Sequence, residues 1–568
     1  MHKQKTALQT PASRKTHLKA SSASWVDTFS KWNAITSEGL TGRFAICLLA
    51  AFFFGIVAHA FGLFGSFYNH DSLKYVVSFE DDAWQVSIGR FLVPVYRALV
   101  LRGFTLPWLS GLLAMLYIGI GCGLASSIVR IRSKVLCAGL TGIVVTSISY
   151  TLLVATYINQ LDTEMLAVAL SCLAAFLWRK GGWFTAAGAF ALTACMGIYQ
   201  AHVSVCLVLV ALGVVADLVD GGRVSSAVVS ALRGAAMAIA AGIAYFIAMR
   251  AFSGFWHISL DTGSYNSVAG VGDFSAFDVP SLMMGAWIGP IRFLLKPTVY
   301  NTMPSVVCNV VLALAAVIGL VRALLRRGNV GVGIFVIFSI CVLPLLSNIA
   351  YVLSGGTATQ LMVLGYIFAA YCLACMGIQW LNQGARILPS STEGESVTSL
   401  DANVRPGHRH ALNLQAATLA LCATMMLVIT FQNTQYSGIM YQKRDLEQRA
   451  TFSLMTRVLY RMESTPGYVP GDTPVCFVRE GGTFSFANEM KHFEDYSAWM
   501  GTTNSRSVTY FPDTFQSYFD YVLNEPIKLV SAQRQSEIEA IPEVSSAPAF
   551  PDEGGVIWVG DTLVVKFR

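Results

Sequence analysis

Residues 44–64 read FAICLLAAFFFGIVAHAFGLF, a run with one histidine and no Asp, Glu, Lys or Arg. An α-helix rises about 1.5 Å per residue, so this run is about 30 Å long, the hydrocarbon thickness of a bilayer. A helix on the surface of a soluble domain carries a polar face, and this run has none. Working outward, comparable runs occur at 108–129, 135–155, 165–178, 183–199, 203–219, 228–249, 306–325, 330–353, 358–381 and 412–431. Together they give about eleven expected spans, of which 165–178 and 183–199 are the shortest. Composition agrees. Of 568 residues, 54% are hydrophobic and 13% charged, whereas soluble domains carry about 25% charged residues. The mean hydropathy is +0.55. A mainly α, multi-pass membrane domain is expected, not a string of soluble ones.

The net charge of +6 does not point to nucleic acid, because Lys and Arg sit in short clusters between the apolar runs. That is the pattern of membrane insertion. With residues 1–42 as a cytoplasmic tail, the inner connections carry Arg130, Arg132 and Lys134, then Arg179 and Lys180, Arg223, Arg322, Arg326 and Arg327, and finally Arg386, Arg405 and Arg409. The short outer connections around Asn159, Gln200 and Gly355 carry neither Lys nor Arg. The tail is polar and basic with no apolar core, so no cleavable leader is expected. Nearly all of the 12 cysteines lie inside apolar runs, where cysteine behaves as a small hydrophobe. The Cys372–Cys375 pair reads the same way.

Residues 43–381 form the expected membrane domain, with outer loops at 66–107 and 252–303. The second loop ends in an apolar stretch interrupted by Pro290, Arg292, Lys296 and Pro297, which reads as an interfacial or re-entrant segment. Residues 382–411, rich in Ser, Gly, Glu and Pro, form an expected cytoplasmic linker, and 412–431 the last span. Residues 432–568 change class. A helical period covers 445–463, and strand patterns occupy 474–478, 555–559 and 562–567, the last two joined by Gly560-Asp561. A small extracytoplasmic α/β domain is expected there.

The acidic residues gather on the outer side. Asp71, Glu80, Asp81 and Asp82 lie in the first outer loop, Asp162 and Glu164 at the next outer boundary, and Asp261, Asp273 and Asp278 in the large loop. For those last three, solvated loop charge is the plain reading. The first loop is denser: Phe67-Tyr68-Asn69-His70-Asp71-Ser72, then Glu80-Asp81-Asp82, Trp84 and Gly89-Arg90-Phe91. Residues 84–100 read as a helix along the interface, with Arg90 and Arg97 about two turns apart on one side. A carboxylate at an apolar boundary suits a general base, and an arginine can grip a phosphate with two parallel bonds. His70 reads as a second candidate base or as a hydrogen-bonded loop residue.

The stretch NHDSLKYVVSFEDDAWQVSIGRFLVPVYRAL, residues 69–99, resembles the first outer loop of the serotype-converting glucosyltransferases, bacterial and phage-borne enzymes of the GT-C superfamily. Met196-Gly197-Ile198-Tyr199-Gln200-Ala201 resembles that family's tyrosine-glutamine turn. Segments at 433–441, 465–468, 474–478 and 555–566 are similar to its juxtamembrane helix and C-terminal strands. The resemblance implies a GT-C-like domain in the bacterial cytoplasmic membrane. It implies transfer of a hexose, usually glucose, from a polyprenyl-phosphate carrier to a surface glycan, either O-antigen or a wall polymer. It places the catalytic acid in the first outer loop, which carries over to Asp71 and then to Asp81 or Asp82. Relatives often have adjacent acids after the asparagine, whereas Asp71 is flanked by His70 and Ser72, so the choice among the three stays open.

Substrate contacts are expected from Arg90, His70, Glu80, Asp162, Tyr199 and Gln200. Arg292 or Lys296 would join Arg90 in stabilising the departing phosphate, or would simply snorkel at the interface. Tyr199 and Gln200 read equally well as a helix end. No cofactor is implied, although the outer acids leave room for a divalent metal. The alternative is a flippase for the lipid-linked sugar. Transporters favour internal repeats and mid-membrane breaks, and here no repeat relates the halves and the acids lie in loops.

Overall fold

The computed structural model describes residues 29, 32–35, 40–65, 67, 72–73, 76, 82–261, 279–356, 359–382, 406–479, 493, 496 and 512–567. Helices run in the order α1 (Leu40–Phe64), α2 (Asp82–Ser87), α3 (Leu92–Val100), α4 (Pro107–Ile128), α5 (Lys134–Val145), α6 (Ile148–Ala155), α7 (Leu161–Lys180) and α8 (Phe184–Ile198). They continue as α9 (Val203–Val219), α10 (Val224–Phe255), α11 (Val279–Leu295), α12 (Met303–Arg327), α13 (Val330–Ser347), α14 (Ile349–Leu353), α15 (Leu364–Asn382) and α16 (Pro406–Glu463). Among the described residues, nine helices are long and apolar enough to cross a membrane, and the pair α5–α6, bent by 42°, makes a tenth. The remaining expected span falls on α8, whose 15 residues reach only about 22 Å. Every apolar run read from the sequence is therefore helical, with 135–155 and 330–353 each divided into two helices.

Local chemistry explains the breaks. At the bend, the Thr146 hydroxyl donates to the Gly142 carbonyl four residues back at 2.8 Å, a side-chain bond that competes with the helical ladder. The interrupted stretch before residue 303 is the short helix α11, with Pro290 inside it. Its end would leave carbonyls without donors. Asn301 supplies them, its Nδ2 donating to the carbonyls of Phe293, Leu294 and Lys296 at 3.0–3.1 Å. Asn309 adds a bond to Leu294 at 2.9 Å.

One helix differs from the expectation. The last span and the helix expected at 445–463 are a single element, α16, of 58 residues. No proline interrupts residues 432–444, and Thr434 and Ser437 turn their hydroxyls back to Thr430 and Asn433. The helix therefore carries on, about 87 Å in all, from the bundle into the C-terminal region. Its first residues also lie within the stretch expected to be linker.

The C-terminal region holds β1 (Pro474–Arg479), α17 (Pro512–Tyr518), β2 (Lys528–Leu529), α18 (Ala532–Glu539), α19 (Pro542–Ser546), β3 (Val556–Val559) and β4 (Thr562–Phe567). The sheet order is β2-β1-β4-β3. β1 runs parallel to β2 and β4, and β3–β4 is an antiparallel hairpin turned at Gly560, φ +62. Strand side chains alternate between faces. Val475, Phe477, Leu563, Val565 and Phe567 face Met455, Val458 and Met462 of α16, whereas Cys476, Val478 and Val564 face Ile538 and Val544. The two-residue β2 has no pattern of its own, and the sequence reading missed it.

The basic clusters meet at one end of the bundle. Arg130 pairs with both Asp217 and Asp220, Arg179 reaches Asp217 at 2.7 Å, and Arg327 donates to the Gly221 carbonyl at 2.8 Å. The first long loop and the turns at 156–160 and 199–202 meet at the other end.

Candidate functional site

The site is built where the first loop lies on two inter-helix turns. The interfacial helix expected over 84–100 is broken in two, because Gly89 takes φ +82. That conformation suits glycine, and a Cβ there would lie 2.2 Å from the Tyr245 hydroxyl. The break is pinned from α10 and the 199–202 turn. Gln200 Nε2 donates to the Ile88 carbonyl at 2.9 Å and to the Tyr245 hydroxyl at 2.8 Å, and Tyr245 in turn donates to the Gly89 carbonyl. Phe91 stacks against Tyr245 and Phe252. The Asp261 amide donates to the Ser87 carbonyl at 2.9 Å, tying the start of the second long loop to the first.

Arg90 follows the break directly, so it does not share a helix face with Arg97. Arg97 is buried within α3, near enough to Asp162 to act on it electrostatically. Arg90 is half-buried. Its Nη1 donates to Gln160 Oε1 at 2.9 Å, and its guanidinium lies 4.5 Å over the Tyr199 ring. Its Nε is buried with no hydrogen-bond partner among the described residues. Among the described residues, the cation is held by a neutral amide and a ring face, with no carboxylate paired to it.

Beneath Arg90, the turn before α7 places Asn159, Asp162 and Glu164 out of solvent. The Tyr96 hydroxyl donates to Asp162 Oδ2 at 2.9 Å and lies 3.2 Å from the Tyr117 hydroxyl. Burial, with the Asp162 carboxylate beside it, holds the Tyr96 hydroxyl well above the ordinary tyrosine range, so it remains a donor. Glu164 Oε2 lies 3.5 Å from His202 Nε2, and the His202 ring packs 4.9 Å from Tyr199. Asp162 Oδ1 and both side-chain polar atoms of Asn159 lack hydrogen-bond partners among the described residues. Buried polar groups are nearly always satisfied by protein or water, so this concentration marks a place built for something other than packing.

The structure thus brings Arg90, Asp162, Tyr199 and Gln200 to one place, with Gln200 serving as the pin of the loop. Asp82 opens α2 nearby in the chain, in the first turn where a carboxylate meets the helix's positive end. Arg292 and Lys296 lie at the end of α11, both exposed, with no hydrogen bond or ion pair to Arg90 or Asp162. His70, Asp71, Glu80 and Asp81 lie outside the described residues, as do Asp273 and Asp278. Sequence reading did not single out Tyr96, Gln160, His202 or Tyr245. A signal existed for one of them, because Gln160 sits in the polar string Asn159-Gln160-Leu161-Asp162-Thr163-Glu164 between two apolar runs. No group of His, Cys, Asp or Glu with metal-holding geometry occurs among the described residues.

Fold and site together define a multi-pass helical protein that gathers acids, amides and a guanidinium at one end of its bundle. The chain belongs to the family described as Glucosyl transferase GtrII, which matches residues 60–375 and so covers the site from the first loop into α15. It is a membrane glycosyltransferase. Neither the curated proteins nor the solved structures contained a match.

Proposed function

We propose that the protein transfers a hexose, glucose by the family's description, from a polyprenyl-phosphate carrier to a surface glycan on the outer face of the bacterial cytoplasmic membrane. The observation that carries this reading is Arg90, a half-buried guanidinium with one amide acceptor and, among the described residues, no paired carboxylate. A partly buried cation without a counter-charge is completed favourably by an anion, and a phosphate matches a guanidinium's parallel donors. The basic clusters at the opposite end of the bundle support an inside assignment for that end. The Arg90 site, and the C-terminal domain that α16 carries, then face outward. Nucleotide sugars are not supplied on that side, so the donor is lipid-bound.

In the reaction, a carboxylate of the first loop removes the proton of an acceptor hydroxyl as its oxygen bonds to the sugar's anomeric carbon. The bond from that carbon to the phosphate oxygen breaks, and its electron pair leaves on the polyprenyl phosphate. Asp71 is the first choice for the base, with Asp81 and Asp82 as rivals. Arg90 stabilises the charge that grows on the phosphate. In this reading Asp162, which accepts from Tyr96, takes sugar hydroxyls.

The test is transfer by purified protein in lipid nanodiscs. A polyprenyl-phosphate sugar should support it, and nucleotide sugar alone should not. Arg90→Ala should weaken donor binding by roughly 10- to 150-fold, the worth of a charge-assisted hydrogen bond of about 1.5–3 kcal/mol. Efficient transfer from a nucleotide sugar without lipid carrier would refute the proposal.

A further inference from the structure

The C-terminal domain does not complete its own core. Among the fully buried residues packed with Met455, Val458 and Met462 of α16, Val475 and Phe477 of β1, and Phe515 is Leu73, at 0% exposure. Leu73 belongs to the first loop, nearly 400 residues earlier in the chain. Val76 packs against the same cluster, and its carbonyl accepts the Thr105 amide at 3.2 Å. Closer to the bundle, the Phe67 ring stacks 6.3 Å from Tyr441 of α16, and the Tyr441 hydroxyl lies 2.6 Å from His59 Nδ1 of α1. The loop is therefore held twice by α16, once beside the bundle at Tyr441 and again inside the domain core at Leu73. Leu73 follows Asp71 by two positions and precedes Glu80-Asp81-Asp82.

We infer that the C-terminal domain is a positioning domain for the first outer loop, and that Leu73 is the anchor through which it acts. Fixing an apolar side chain in a close-packed core removes the freedom of the backbone around it. The acids flanking the anchor then meet donor and acceptor in one geometry, and proximity of that kind is worth large factors in rate. The domain has no need to touch the sugar. Its part is to supply the socket, and the loop fills it. The inference rests on the proposed transferase reading with its base in this loop, although the docking itself does not.

Docking and role are tested separately. With p-benzoylphenylalanine in place of Val76 in the full-length protein, irradiation should cross-link the loop to peptides from 452–479 or 512–567. Cross-links confined to the membrane domain would overturn the anchor whatever the reaction proves to be. For the role, Leu73→Ala should lower kcat by roughly 10²-fold, the cost of a small misplacement of reacting groups. The donor KM should stay near the wild-type value, because Arg90 is held separately. Leu73→Met, which refills the socket, should restore kcat. If Leu73→Ala expresses poorly, Met462→Ala opens the same socket from the domain side and should give the same loss in kcat alone. A kcat close to wild type in either alanine variant would refute the positioning role. If the wild type transfers nothing from any lipid-linked sugar, the transferase reading fails while the cross-link still decides the docking.

Discussion

Replacing Gly89 with alanine perturbs the point on which the site turns, and the structure sets the size of the effect. At φ +82 an alanine is strained, by about 1–2 kcal/mol. Its Cβ would lie 2.2 Å from the Tyr245 hydroxyl and 3.0 Å from Gln200 Nε2, an overpacking that costs about 1–3 kcal/mol more. The bonds that pin the break, from Gln200 to Ile88 and from Tyr245 to Gly89, must lengthen to make room. Arg90, the next residue, then leaves its seat between Gln160 and Tyr199. The expected result is a donor affinity lowered by about tenfold or more, as for loss of a charge-assisted bond, and a lower melting temperature. The informative comparison is the double variant Gly89→Ala with Tyr245→Phe. Removing the hydroxyl relieves the worst contact, so the pair should be less damaging than the sum of the singles, with a coupling in the range of about 0.5–3 kcal/mol seen for touching residues. Donor titration and thermal unfolding in the same detergent read both quantities. Strict additivity, or wild-type donor affinity in Gly89→Ala, would refute the account of the break.

Three further outcomes are expected. Asp71→Asn should reduce turnover by roughly 10²–10⁴-fold with donor binding intact, whereas a mild effect there and a large one at Asp81→Asn or Asp82→Asn would move the base. A cysteine replacing Met500 should label from outside the cell and one replacing Leu400 should not, the reverse pattern inverting the topology; of the native thiols, Cys341 faces outward from the spanning helix α13, at lipid depth, and Cys476 is buried, which pushes its thiol up to about 12. Gly319→Ala should lower thermal stability by about 1–3 kcal/mol, because a Cβ there would lie 2.0 Å from the Gly377 carbonyl oxygen where α12 crosses α15; an unchanged melting temperature would mean the helices pack differently.

What the sequence determined by itself rests on local length and period. Each apolar run is helical because a stretch of about 20 residues that must cross a bilayer has no other way to satisfy its backbone. The β3–β4 hairpin was legible for a similar reason, since alternation on both sides of Gly560-Asp561 specifies a turn. Family membership was legible in motifs whose order survives along the chain. The density of polar groups at Asn159–Glu164 was visible too, although only Asp162 stood out as a ligand.

Tertiary structure decided the rest, and in each case the partner is distant in sequence. The helix over 84–100 breaks at Gly89 because the space a side chain would need belongs to Tyr245, 156 positions away. Arg90 and Arg97 then part company, one half-buried over Tyr199 and the other enclosed beside Asp162. α16 runs through without a stop, with one face from Cys422 to Tyr441 packed on the bundle and its later part, from Met455 to Met462, packed on the C-terminal domain and Leu73. Leu73 reads in the sequence as one of several apolar residues in the loop, with Val76, Val77 and Phe79 close by, and its place in another domain's core follows from packing alone. Hydrophobic period records how much of an element is buried, but not which surface buries it, and the site depends on that choice of surface.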